Sequence, residues 1–213
     1  MTAPVVALID YGMGNLHSVA KALEHAGASV RMVKDSEDLA ACDRVVLPGV
    51  GAFRDCIQAL QAQGLDEALP AYIKTGRPFL GICLGMQVLM DVSLEFGHHQ
   101  GLGLIPGAVK PFPEGLVEQG CKIPHMGWND VAFAEGTAMH PGLAPLQGKQ
   151  VYYVHAYYCA PENPEHILAA CSYGSFPFAS AIGRDNIIAV QFHPEKSQQA
   201  GLAMLHNFVH WQL

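Results

Sequence analysis

Pro78-Phe-Leu-Gly-Ile-Cys83-Leu-Gly-Met-Gln87 is an apolar run that ends in a cysteine set between two glycines. Pro78 to Ile82 reads as a buried strand. Gly81 and Gly85 flank Cys83 in the spacing of a nucleophile elbow, the tight strand-to-helix turn that lifts a reactive side chain out of the end of a sheet. Only small neighbours let that turn close, and glycines here serve no other packing purpose. The composition of the chain makes one Gly-x-Cys-x-Gly expected about 0.06 times by chance. A cysteine at the C-terminal end of a parallel strand lies where open α/β sheets bind ligands. A helix starting at Leu84 would aim free N–H groups at it, a setting that favours thiolate over thiol.

Outward from that strand the pattern repeats. Val5 to Ile9, Ser29 to Val33 and Arg44 to Leu47 read as further strands, while Leu16, Val19, Ala20 and Leu23 recur at helical spacing, as do Phe53, Ile57 and Leu60. Strands alternating with crossover helices predict an α/β fold, a central mostly parallel sheet flanked by helices. Pro70, inside Leu65 to Thr75, predicts a kink or two short helices. From about residue 104, Pro106, Pro111, Pro113 and many glycines separate short strand-like pieces such as Gln150 to Tyr153 and Ile167 to Cys171, which predicts an antiparallel section. Ile187 to Phe192 returns to a buried strand, and Leu202, Leu205, Phe208 and Val209 place an apolar stripe on a closing helix. With 213 residues, half of them hydrophobic, and no repeat or linker, one domain over residues 1–213 is expected.

A net charge of −7 without any Lys/Arg-rich run argues against nucleic acid or an anionic membrane as partner. Cysteines 42, 56, 83, 121, 159 and 171 include no Cys-x-x-Cys pair and no spacing suited to zinc or a disulfide framework. All but Cys83 read as buried and inert. The apolar run after Pro4 has no basic region before it and reads as a strand, not a signal peptide. No apolar stretch approaches the roughly 18 residues needed to span a bilayer, so a cytoplasmic protein is expected. Neither a cofactor nor a metal is expected. His206 and His210 share a helix face without an acidic or cysteine partner, and His98-His99 sits in a Gly-rich loop.

A thiol nucleophile needs a base, and Gln191-Phe-His193-Pro-Glu195-Lys-Ser197 supplies one just past the last apolar strand. His193 would exchange a proton with Cys83. Glu195 would accept the other ring N–H, fixing the tautomer and stabilising imidazolium. The plainer reading is a strand-end histidine beside a solvated glutamate. An oxyanion site requires backbone donors: the N–H of Leu84, directly after the nucleophile, and one from Leu47-Pro-Gly-Val-Gly-Ala-Phe53, whose glycines would turn the Val50 N–H toward Cys83. Alone, Pro-Gly-x-Gly is a turn.

Taken in order and spacing, Gly81-Ile-Cys-Leu-Gly-Met-Gln87, the Pro-Gly-Val-Gly loop and His193-Pro-Glu195 resemble the class I (triad) glutamine amidotransferases. Asp10-Tyr-Gly-Met-Gly-Asn-Leu16, Pro124-His-Met-Gly-Trp-Asn129, Val154-His-Ala-Tyr-Tyr158 and Phe192-His-Pro-Glu-Lys-Ser197 resemble one branch of that family, the glutaminase subunits of imidazole glycerol phosphate synthases. The resemblance covers nearly the whole chain. It implies that Cys83 is the nucleophile, His193 the acid/base and Glu195 its orienter. It also implies that Gln87 and Glu95 grip L-glutamine, with Gly49, Gly51, Ala156 and Tyr157 lining the pocket. Ala156 stands where the family usually carries Ser or Thr, so one hydroxyl contact is lost. The implied partner is a (β/α)8 cyclase subunit, bound as a heterodimer through Asn15, Met126, Trp128, Asn129, Tyr152 and Lys196, with histidine biosynthesis as the pathway. Competing readings are another triad glutaminase, such as one serving pyridoxal phosphate synthesis, a γ-glutamyl hydrolase, and a catalytically silent α/β regulatory module.

Overall fold

A computed structural model describes residues 2–133 and 139–212. Its first half alternates strand and helix as the apolar spacing predicts: β1 (Val5–Ile9), α1 (Leu16–His25), β2 (Ser29–Val33), β3 (Arg44–Gly49), α2 (Phe53–Ala62), α3 (Leu65–Ile73) and β4 (Phe79–Cys83). A single helical turn, α4 (Leu84–Gln87), follows β4 directly. Then come β5 (Met90–Ser93), β6 (His99–Gln100), β7 (Ile105–Pro111), the short α5 (Gly115–Glu118), β8 (His125–Asp130), β9 (Gln150–His155) and β10 (Tyr157–Pro161). β11 (Ile167–Tyr173), β12 (Phe176–Arg184), β13 (Ile187–Val190) and α6 (Gln198–Val209) complete the described chain.

Seven strands form the main sheet in the order β11-β12-β13-β4-β3-β1-β2. From β2 to β13 every pair is parallel, and β11 and β12 add an antiparallel edge. Strands of a parallel sheet are covered on both faces, hence their unbroken apolar runs. Alternate residues then serve opposite layers. Val6, Leu8, Val46, Leu80, Ile82 and Val190 pack with Leu23 of α1 and Phe208 of α6, while Ala7, Ile9, Val45, Leu47, Phe79 and Ala189 pack with Leu60 of α2 and Leu69 of α3. Two smaller sheets, β10-β7-β5-β6 and β8-β9, are mostly antiparallel.

Register positions the site. Gly49 of β3 pairs with Cys83 and Val190 of β13 pairs with Ile82, so the β3–α2 loop and the segment after β13 both open beside the end of β4. The helix starting at Leu84 stands where the elbow spacing places it and is a single turn. Two local expectations are corrected. Pro70 neither divides nor ends α3, because its missing N–H removes one bond from a helix whose next turn still closes, Lys74 N–H donating to the Pro70 carbonyl at 3.1 Å. Cys121 is only half-buried, unlike Cys42, Cys56, Cys159 and Cys171. Among the described residues no helix is long and apolar enough to cross a membrane.

Candidate active site

Cys83 adopts φ 55° and ψ −109°, outside the regions a non-glycine residue favours. Such a conformation costs on the order of 1–3 kcal/mol and persists only where the surroundings impose it. Here the flanking glycines permit it. A Cβ on Gly85 would lie 1.9 Å from the Leu47 carbonyl oxygen, and one on Gly81 would lie 2.6 Å from the Gly85 carbonyl oxygen. The turn can therefore press against β3 only without side chains at both places. Because α4 is a single turn, its aligned dipoles are few. What it offers the thiol is chiefly the backbone N–H of Leu84, which precedes any intrahelical acceptor.

His193 and Glu195 lie just beyond β13, the parallel neighbour of β4. Both side chains are buried, 4% and 1% exposed, and His193 Nδ1 donates to Glu195 Oε1 at 2.9 Å. That bond leaves Nε2 directed elsewhere; among the described residues it has no hydrogen-bond partner, nor does Glu195 Oε2. Burial alone would lower the His193 pKa, but Cys83 and Glu195 outweigh it and raise the value to about 9. The Glu195 carboxylate and negative charge at Cys83 thus favour the imidazolium form of His193.

Cys83 and His193 share a cavity of about 380 Å³ with Val50, Gly51, Leu84, Gln87, Glu95, Ala156 and Tyr157. Nearly all the residues expected at the catalytic, oxyanion and substrate positions meet in this one space. Gly49 stands just behind it, where a Cβ would come 2.7 Å from both Leu84 Cβ and the Tyr11 hydroxyl oxygen. Glu95 accepts from the Phe53 N–H at 2.6 Å, tying the start of α2 to the pocket. Gln87 Nε2 donates to the Tyr157 carbonyl and to Gln191 Oε1, each at 3.2 Å.

Sequence reasoning gave no role to four residues that the structure brings here. Val154 and His155 line the cavity. Tyr11, buried, donates its hydroxyl to the Pro48 carbonyl at 2.9 Å and so secures the Pro48-Gly49-Val50-Gly51 loop. Gln191, fully buried, reaches Cys83 Sγ. The available signal for Gln191 is a polar side chain closing an apolar strand two residues before His193.

Four of the residues expected at an interface, Met126, Trp128, Tyr152 and Lys196, stand together outside the cavity. Met126 and Trp128 project from β8 with 61% and 44% exposure. Trp128 pairs with Tyr152 of β9, ring centroids 6.1 Å apart, and Lys196 Nζ sits 5.9 Å from the Tyr152 ring centre. Asn129 is turned inward and donates to the Ser172 carbonyl at 2.9 Å and to the His125 ring. Asn15, exposed, caps α1 by accepting from the Ser18 N–H at 3.4 Å, so its side chain has a structural task as well.

The sequence matches the family Glutamine amidotransferase class-I over residues 7–211. Solved structures are similar in fold at low identity: the PurLQS structure from Thermotoga maritima superposes with a TM-score of 0.74 at 17% identity, covering 98% of each chain. Curated relatives are nearer in sequence. Imidazole glycerol phosphate synthase subunit HisH of Syntrophotalea carbinolica is 50% identical over 206 residues, 96% of this chain and 98% of that protein. Subunit HisH of Acinetobacter baylyi is 47% identical over 210 residues, 98% of each. The chain therefore belongs to the class-I glutamine amidotransferase family, and within it to the HisH subunits.

Proposed function

We propose that this chain is the glutaminase subunit of an imidazole glycerol phosphate synthase, and that residues 1–213 act as one glutamine amidotransferase domain. The observation that carries the reading is the strained Cys83 facing one cavity with His193, whose ring is oriented by Glu195. The Cys83 thiolate attacks the side-chain amide carbon of glutamine, and the developing oxyanion takes hydrogen bonds from the N–H groups of Leu84 and Val50. Collapse breaks the C–N bond as His193 Nε2–H gives its proton to the leaving nitrogen, releasing ammonia and leaving a thioester. Nε2, now neutral, takes a proton from water as that water attacks the thioester carbon, and glutamate and the thiolate are released. Glu195 stabilises the imidazolium throughout without accepting the proton. Gln87 and Glu95 hold the amino-acid end of the substrate, using the carboxylate and amide atoms their present hydrogen bonds leave available.

Ammonia is mostly protonated, and so unreactive, near neutral pH. A glutaminase of this kind is useful only when it delivers ammonia to a second active site directly. The partner is a (β/α)8 cyclase subunit, joined as a heterodimer across the Met126, Trp128, Tyr152 and Lys196 face, in histidine biosynthesis in the cytoplasm. Cys83→Ala in the two-subunit enzyme is expected to abolish glutamine-dependent synthesis and leave ammonia-dependent synthesis intact. Loss of both activities, with the complex still assembled, would overturn this division of labour.

A further inference from the structure

We infer that Gln191 is a catalytic residue of this site: its side-chain amide donates a hydrogen bond to Cys83 Sγ and stabilises the thiolate before attack. The inference rests on the nucleophile role proposed above for Cys83. Gln191 is fully buried, and its Nε2 lies 3.7 Å from the sulfur, within the reach of an N–H···S bond.

The direction of that bond follows from a carbonyl. The Tyr157 carbonyl oxygen can only accept, so the Gln87 atom 3.2 Å from it is the amide nitrogen. The same nitrogen lies 3.2 Å from the Gln191 side chain, which must present its oxygen there. The remaining Gln191 terminus, turned to Cys83, is therefore the NH2 group. Turning the Gln191 amide over would set two NH2 groups against each other and a carbonyl oxygen against the sulfur, two unfavourable contacts in a water-excluded place. A donor fixed in this way needs no reorganisation when negative charge resides on sulfur. The main chain is fixed too, Gln191 N–H donating to the Ser180 carbonyl at 2.9 Å.

Other groups act on the same thiol. His193 supplies positive charge, the Tyr11 hydroxyl and the Cys159 thiol lie close enough to sense the sulfur, and Glu95 borders the cavity. Each of these groups is the same in the parent and in Gln191→Met, so a difference between those two reports the amide donor. Alkylation of the full-length chain by iodoacetamide is followed against pH, with Cys83→Ala as the background for the other cysteines. Gln191→Met removes the donor, and Gln191→Glu replaces it with an oxygen. The midpoint of Cys83 alkylation is expected to rise by about one pH unit in Gln191→Met and further in Gln191→Glu. Glutaminase kcat in the complex should fall about tenfold in Gln191→Met, with KM for glutamine changed by less than about threefold. Gln191→Glu brings negative charge to the sulfur whatever the native amide does, so Gln191→Met decides: a midpoint that does not rise in Gln191→Met overturns the inference. Alkylation needs no glutamine turnover: a profile that responds to Gln191 in a chain that shows no glutaminase activity even in the complex with the cyclase supports the hydrogen bond while removing the function proposed above.

Discussion

A methyl group on Gly85 would meet the Leu47 carbonyl oxygen at 1.9 Å, a distance no side-chain adjustment relieves because the obstacle is backbone. Gly85→Ala must push β3 and β4 apart at the elbow and is expected to cost about 3 kcal/mol, read as a lower denaturant midpoint. Gly120 provides the contrast, with φ 84° but nothing within 4 Å of the place a Cβ would take, so Gly120→Ala should cost only about 1 kcal/mol. A larger loss at Gly120 than at Gly85 would mean that backbone conformation, not close approach, governs the elbow glycines. Gly81, Cys83 and Gly85 were legible in the sequence because the elbow is built from neighbours along the chain. Gln191 and Tyr11 were not, since their partners lie far away in sequence, as with Gln191 and Gln87 at a separation of 104 residues. No local spacing encodes a bond of that kind.

At the scale of elements, β8, β9 and the start of β10 are joined by a chain of neutral histidines. His155 Nδ1–H donates to the Tyr157 carbonyl at 2.9 Å, which leaves Nε2 to accept from His125 Nδ1–H at 3.1 Å. His125 Nε2 in turn accepts from Asn129 Nδ2 at 3.3 Å. Burial lowers the His125 pKa to about 4 and the His155 pKa to about 3. In the unfolded chain each ring takes up a proton near its ordinary pKa of about 6.5, so their contribution is complete above that pH and is lost as pH falls toward 4 and below. His193, raised to about 9, has the opposite sign: its contribution is complete below pH 6.5 and is lost as pH rises through 9. The urea midpoint should therefore fall on both sides of neutrality, and His125→Asn should flatten the acid limb alone. An acid limb as steep in that variant as in the parent would remove His125 from the account. The parallel half of the fold was legible from its apolar runs, and so were α1 and α2. The single turn of α4 was not, because no residue within Leu84–Gln87 breaks a helix, yet β5 begins at Met90.

Across the whole molecule, the exposed aromatic face and His193 share one piece of backbone. Tyr152 stands on that face beside Trp128, while its carbonyl accepts the His193 N–H at 2.9 Å. Ser197 Oγ accepts from the Tyr152 N–H at 3.0 Å and donates to the His193 carbonyl at 2.6 Å. A partner pressing on Trp128 and Tyr152 thus bears on the segment that sets the His193 ring. On the proposed function, Trp128 is an exposed aromatic anchor of the cyclase interface, where such side chains commonly contribute about 2 kcal/mol or more once buried. Trp128→Ala should raise the Kd for the cyclase about thirtyfold. Thermal stability of the isolated chain should hardly change, since the ring packs mainly on Tyr152 at the surface. Glutaminase activity of the isolated chain should be low and equal in parent and variant, and at saturating cyclase the variant should also be stimulated less, because the contact that transmits the partner to Tyr152 is gone. Weaker binding with full stimulation at saturation would show that Trp128 only anchors the partner and that the Tyr152–Ser197–His193 clamp is set by some other contact.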